Sequence, residues 1–253
     1  MRRPTIMQSM AEAVADIPDG ITLLLPGFGS GQPINLLTAL YHQGAADLTT
    51  VSNGVGFPST SADGRKALGD LIAAGRVRKV IAAFTAPTHP SEASPTRDLI
   101  KAGKLVAELV PQGTIAERVR AGGAGIPAFY TPTSVGTFLA EGKEHRVFNG
   151  RTYVMEEAIL ADYAFIRAWK ADTNGNLVYR LGARNFNPIF AMGARHTIVE
   201  AQEIVPAGAI PPDQVHTAGV WVERIVQIPP DGYLRNERRR PATAPVEPKD
   251  AAR

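Results

Sequence analysis

Four times in its first 125 residues the chain repeats one grammar: a short apolar run, a turn rich in Gly and Pro, then a helical stretch closed by glycine. Ile21 to Leu25 leads through Pro26 to Pro33 into a helix over Ile34 to Gln43, stopped by Gly44. Leu48 to Ser52 leads to a helix over Asp63 to Ala74 and Gly75, and Val77 to Phe84 to a short helix that Ser94 and Pro95 open and Gly103 follows. Leu105 to Val110 delivers the turn Pro111, Gln112, Gly113, after which Thr114 with Glu117 reads as a capping box for a helix through Arg120, halted at Gly122. Apolar runs this short, alternating with helices, predict an α/β fold: a mainly parallel open sheet with helices on both faces. Ligands of such sheets sit beyond the carboxyl ends of the strands. Here those ends carry Pro26 to Pro33, Asn53 to Phe57, Thr85 to His89 and Pro111 to Gly113.

Ahead of the first unit, Ser9 and Glu12 form a second capping box, with Met10, Ala13, Val14 and Ile17 at helical spacing up to Pro18. After Thr137 the pattern becomes a β-rich half of the same domain. Its expected strands are Thr152 to Glu156, Ala164 to Ala168, Leu177 to Tyr179, Thr197 to Ala201 and Val220 to Ile228, with Asn174-Gly175 as a hairpin signal. Residues 5–228 read as one domain, and 229–253 as a disordered basic tail opening on Pro229-Pro230.

The net charge of +3 does not mark a nucleic-acid surface, because the excess lies in the tail. Residues 231–253 hold six basic and four acidic groups, leaving 21 and 20 for the body, which is close to neutral. With 44% hydrophobic residues and no cysteine, the chain can build a core but has no disulfide, thiolate nucleophile or cysteine-ligated metal. The first apolar run is too short for a signal peptide or a membrane span, so a cytoplasmic protein without membrane contact is expected.

Familiar motifs fail on spacing. Gly27, Gly29 and Gly31 suggest a dinucleotide fingerprint, but the next glycine would have to stand at Gln32, and Asp47 precedes the second strand instead of ending it. The serine of the GFGSG run sits one place too late for a nucleophile elbow. His42, His89, His145, His196 and His216 are scattered with no pair at i, i+4, so no metal site is expected. Glu156 and Glu157 are adjacent in a strand and face opposite ways. On residues alone, Gln112 is either an exposed turn amide bonding its own helix or a donor toward a ligand, and the glycine loop is either a tight turn or a ligand lining.

The run PQGTIAERVRAGGAGIPAFYTPTSVGT from Pro111 to Thr137, and FNGRTYVMEEAILADYAFIRAWKADTNGNLVYRLGARNFNP from Phe148 to Pro188, resemble the A subunit of the 3-oxoacid coenzyme A transferases, family I. The likeness spans about Ala11 to Val226 and is densest from Leu109 to Pro206. Near the N-terminus, Asp19, Gly20, Leu23, Leu24, Leu25, Gly27, Phe28, Gly31 and Pro33 fit that family's signature. Pro26 replaces its first glycine, the spacing between Phe28 and Gly31 is one residue short, and Thr85-Ala86-Pro87 stands where the family tends to place Gly-Glu-Asn.

The resemblance implies ping-pong exchange of coenzyme A between an acyl-CoA, such as succinyl-CoA, and a 3-oxo acid, through a glutamyl-CoA thioester. The nucleophilic glutamate of the family lies in Ser-Glu-Asn-Gly on the B subunit; the comparable stretch here reads Ser52-Asn53-Gly54, without glutamate. The chain is therefore expected to need a B subunit, as a heterodimer or α2β2 heterotetramer. It should bind no cofactor tightly and meet coenzyme A as a thioester substrate. Gln112 matches the family's oxyanion-stabilising glutamine. Gly27, Phe28, Gly29 and Gly31 are implied to line the coenzyme A and acyl channel, and Gly122, Gly123 and Gly125 to give backbone room for the partner or for coenzyme A. The altered Pro26 and Thr85 to His89 loops leave open a different acid substrate, and a non-catalytic ligand sensor on the same fold is the other alternative.

Overall fold

The structure is a computed structural model, described over residues 3–27, 30–59, 62–86, 94–230 and 232. In chain order its elements are β1 (Thr5–Met7), α1 (Met10–Val14), β2 (Thr22–Leu25), α2 (Ile34–Gln43), β3 (Leu48–Gly54), α3 (Leu68–Ala73), β4 (Val77–Phe84), α4 (Pro95–Lys101), β5 (Val106–Leu109) and α5 (Gln112–Gly123). There follow β6 (Ala128–Thr131), β7 (His145–Phe148), β8 (Arg151–Glu157), β9 (Ala161–Asp172), β10 (Leu177–Val178), α6 (Asn187–Met192), β11 (Ala194–Val205) and β12 (Arg224–Gln227).

The main sheet runs β1-β12-β11-β9-β2-β3-β4-β5, parallel throughout, with β10 pairing antiparallel to β9. It is buried on both faces. One core, with Leu23, Leu25, Leu37, Leu40, Leu71 and Phe165, lies under α1 to α4; the other, with Leu24, Val51, Ile115, Val119, Ile166 and Phe190, lies under α5 and α6. Leu23 and Leu24 enter opposite cores because successive strand residues face opposite ways. From the C-terminal half β9, β11 and β12 continue the same sheet, with β9 docked beside β2. Thus β2 stands where the chain reverses direction across the sheet: β3 to β5 lie to one side, β9, β11 and β12 to the other. Such a switch point leaves a crevice beyond the carboxyl ends.

Several caps fall where the residues place them. Ser9 Oγ accepts the Glu12 N–H at 3.1 Å and Ser94 Oγ the Arg97 N–H at 3.2 Å, while Gly44, with φ of 109°, ends α2. The hairpin forms at Asn174-Gly175 between β9 and β10. Three expectations need correction. α5 begins at Gln112 behind Pro111, and the expected capping box does not form: Thr114 is buried and Glu117 binds Arg120 at 2.7 Å. The helix also continues through Gly123. α3 starts at Leu68, not Asp63, because the Asp70 carboxylate accepts the Ala67 and Ser59 N–H groups at 2.7 and 2.9 Å and fixes the chain there as a loop. Finally, only Arg224–Gln227 of the expected Val220 to Ile228 strand pairs, since residues 219–221 turn as a 3₁₀ segment.

A separate antiparallel sheet, β6-β8-β7, follows α5. Glu156 of β8 is buried against Lys143 at 2.6 Å while Glu157 is exposed, so the two carboxylates do face opposite ways. The expected disordered tail falls outside the described residues, apart from 229, 230 and 232. Among the described residues, no helix is long and apolar enough to cross a membrane.

Candidate active site

Gln112 is the first residue of α5 and stands at the carboxyl edge of the sheet. α5 is held firmly beneath it. Arg118 binds Glu108 of β5 at 2.7 Å and the Glu157 carbonyl at 2.7 Å, and Lys79 of β4 joins Glu108 at 2.7 Å. Partial burial works to raise the Glu108 carboxyl, but the bonds from Arg118 and Lys79 outweigh it and hold it below its usual range.

The Gln112 side chain reaches across the end of β4 to β3, where its Nε2 donates to Asn53 Oδ1 at 2.5 Å. Asn53 is buried and Gln112 exposed. One amide N–H is thereby committed to orientation. The primary amide has a second, and on an exposed side chain it can donate to an incoming anionic oxygen. At this edge Phe84 and Leu109 are exposed, and the Phe84 ring lies so close over Gly54 that a Cβ there would come within 2.5 Å of it.

On the other face of the edge a cleft of about 600 Å³ opens between the ends of β2 and β3, the first turn of α2 and the start of α3. Gly27, Gln32, Ile34, Ser52, Val55 and Phe57 are among its lining residues, with Arg65 and Lys66 at the same site. Asn53 sits between two of the lining positions, Ser52 and Gly54, so the cleft and the Gln112 amide flank one short piece of β3.

The other expected site residues divide. Gly27 lines the cleft. Gly31, with φ of +81°, packs where a Cβ would meet the Ala183 carbonyl at 2.5 Å, so it shapes the loop by close approach. Phe28 and Gly29 lie outside the described residues, as does most of Thr85 to His89. Gly122 and Gly123 are helical and occupy the far end of α5, roughly 15 Å from Gln112 at about 1.5 Å per residue. The room they leave is taken by the chain itself: a Cβ would meet the Ile159 carbonyl at 2.1 Å or the Met192 carbonyl at 2.4 Å. At Gly122 and Gly123 the close approach is therefore to the chain's own backbone. Gly125 has open space and φ of +73°, as a residue leaving a helix does.

The sequence alone does not mark Asn53, Asn187 and Glu200 as functional residues. A signal exists only for Asn53, an amide delivered to a loop by a strand end; the other two act across more than 150 residues of chain. Among the described residues no group of three His, Cys, Asp or Glu side chains gathers to hold a metal ion.

The coenzyme A transferase family model matches residues 7–227. Over 222 residues the chain is 50% identical to the A subunit of a probable succinyl-CoA:3-ketoacid coenzyme A transferase of Bacillus subtilis (strain 168), covering 87% of this chain and 89% of that one. It is 44% identical over 222 residues to the A subunit of the 3-oxoadipate CoA-transferase of Pseudomonas putida, covering 87% and 92%. Among solved structures, glutaconate coenzyme A-transferase from Acidaminococcus fermentans superposes with a TM-score of 0.75 at 23% identity, over 89% of this chain and 76% of that one, which shows the shared fold. A variant of the decarboxylase AibA/AibB superposes with a TM-score of 0.72 at 26% identity, over 90% and 84%.

Proposed function

This chain belongs to the coenzyme A transferase family of enzymes, and we propose that it is the A half of a two-subunit transferase that moves coenzyme A from succinyl-CoA to a 3-oxo acid. The carrying observation is the Gln112 amide, oriented by Asn53 at an exposed apolar strand edge, in a chain that offers Asn53 where a nucleophile would have to stand.

In this reading a B-subunit glutamate attacks the thioester carbonyl, coenzyme A leaves as thiolate, and an acyl-glutamyl anhydride forms. The thiolate then attacks the glutamyl carbonyl and releases the donor acid, leaving a glutamyl-CoA thioester. The acceptor carboxylate runs the same steps backward. Each addition places negative charge on a carbonyl oxygen. A donor already aimed at that position lowers the barrier without reorganising, and the second N–H of Gln112 fits that role. The partner would close over Phe84 and Leu109, excluding water from the amide. Gly27 and the loop through Gly31 would shape the acyl side of the cleft, with Phe28 and Gly29 in the same role. Coenzyme A enters and leaves as a thioester substrate, and the mechanism calls for no tightly bound cofactor. The cytoplasm, where acyl-CoA is present, is the proposed location.

Acid choice follows the relatives, whose names divide between 3-ketoacid and 3-oxoadipate. Co-purification with the B subunit, followed by assay of succinyl-CoA against acetoacetate and 3-oxoadipate, tests the reading. Transfer to at least one of them by the pair, and none by this chain alone, is expected; transfer by the pair to neither would refute it.

A further inference from the structure

Glu200, on β11, is a fully buried carboxylate to which the transfer mechanism assigns nothing. Across the sheet it is the register partner of Arg167 on β9, whose Nη1 lies 3.6 Å from Glu200 Oε1. The same oxygen accepts from Asn35 Nδ2 at 2.9 Å, and Oε2 accepts the Leu36 N–H at 2.9 Å. Those donors belong to the first turn of α2, whose amides have no partner within the helix. Pro33 at the cap position provides no side-chain hydrogen bond. Glu200 therefore caps α2 from 164 residues away, its oxygens serving as acceptors at the amide end of the helix.

The loop that enters α2 is pinned from the same side. Asn185 Nδ2 donates to the Ser30 carbonyl at 2.8 Å. Asn187, fully buried, donates to the Gly31 carbonyl at 3.2 Å and accepts the Arg167 N–H at 3.0 Å. Topology explains the convergence. β2 ends one residue after Leu24, which pairs with Ala164, whereas β9 runs on to Asp172; Arg167 thus lies beside the chain leaving β2.

We propose that Glu200 is a positioning residue which, by bonding Asn35 and Leu36 directly while Asn187 holds Gly31, fixes residues 30–36 and so holds one wall of the acyl cleft, Gln32 to Leu37, in a single conformation. The consequence for catalysis rests on the transferase reading above; the anchoring does not. A fully buried carboxylate would be a costly choice for stability alone, and burial pushes its pKa up to about 7 against the opposing pull of Arg167 and the bonds from α2.

The test uses Glu200→Gln, which keeps size but turns one acceptor into a donor facing Asn35 or Leu36, and the double variant Glu200→Gln with Asn35→Asp, which exchanges donor and acceptor across that contact. In the chain alone, amide exchange over residues 34–38 should quicken by about tenfold or more in the single variant, with Ile115 to Val119 of α5 unchanged. In the complex with its B subunit, KM for succinyl-CoA should rise about tenfold while kcat changes by less than about threefold, and the double variant should recover most of both effects. If the single variant does not fold, Asn35→Ala must show the same pattern at smaller size. Unchanged exchange at 34–38 in a folded variant overturns the anchoring. Faster exchange with unchanged KM overturns the role in the reaction. If the wild-type pair transfers no coenzyme A, the function reading fails and the exchange result alone decides the anchoring.

Discussion

Replacing Gln112 by alanine removes the N–H bonded to Asn53 and the second N–H, which the proposed mechanism turns toward substrate. The first matters to stability. Gln112 is exposed but Asn53 is buried, so the change leaves the Asn53 oxygen without this donor and costs about 1–3 kcal/mol, each kcal/mol lowering Tm by about 2–4 °C for a chain of this size. The second matters to rate. In a water-excluded complex, one preoriented oxyanion donor contributes about 3 kcal/mol, and at about 1.36 kcal/mol per tenfold the loss should lower kcat by roughly 100-fold or more. Asn53→Ala leaves the donor but frees its rotation, so a smaller loss of about tenfold is expected. The assay is the absorbance of the 3-oxoacyl-CoA enolate, with the variant chain in complex with its B subunit. Size-exclusion chromatography checks assembly. A Gln112→Ala complex that assembles normally and turns over within about threefold of wild type would remove Gln112 from the mechanism.

Two stability predictions follow from the packing. Gly122→Ala drives a Cβ to 2.1 Å from the Ile159 carbonyl, so backbone must move at a cost of about 3 kcal/mol, whereas Gly125→Ala has open space and meets only its φ of +73°, about 1 kcal/mol. A larger Tm loss at Gly125 than at Gly122 would contradict the packing role. The second concerns pH. Burial raises Glu200 from 4.5 to about 7, so the folded state favours the protonated acid; this contribution is fully present below pH 4.5 and is lost as pH rises through 7. The rise is worth on the order of 3 kcal/mol. Urea titrations at about pH 4.5 and pH 8 should therefore show wild type losing stability relative to Glu200→Gln by that order, and a pH-independent difference would contradict it.

The parallel units are legible because each obeys local rules. Leu23 to Leu25 and Leu48 to Val51 are buried on consecutive positions since both sheet faces are covered, and Gly44 and Gly75 end their helices at positive φ. Short or exposed strands give no such signal. β1 has three residues, and all four residues of β7 are exposed, so neither carries a burial period. The start of α5 misleads because Thr114 and Glu117 have capping-box spacing, yet Pro111 already admits a helix at Gln112, and Arg120 captures Glu117. Gln112 is visible through its family turn. Its partner Asn53 is not, because an amide pair spanning 59 residues depends on β4 lying between β3 and β5. Glu200 and Asn187 are hidden for the same reason: nothing in the local sequence says that β9 docks beside β2.

The central claim is that this chain supplies the oxyanion donor while its partner supplies the nucleophile. Intact-mass spectrometry on the two-subunit complex, quenched in acid after mixing with succinyl-CoA and no acceptor, tests it directly. The account expects a coenzyme A thioester adduct on the B subunit, with none on this chain, and the Gln112→Ala complex forming the same adduct at a slowed rate; a coenzyme A adduct on this chain would contradict it.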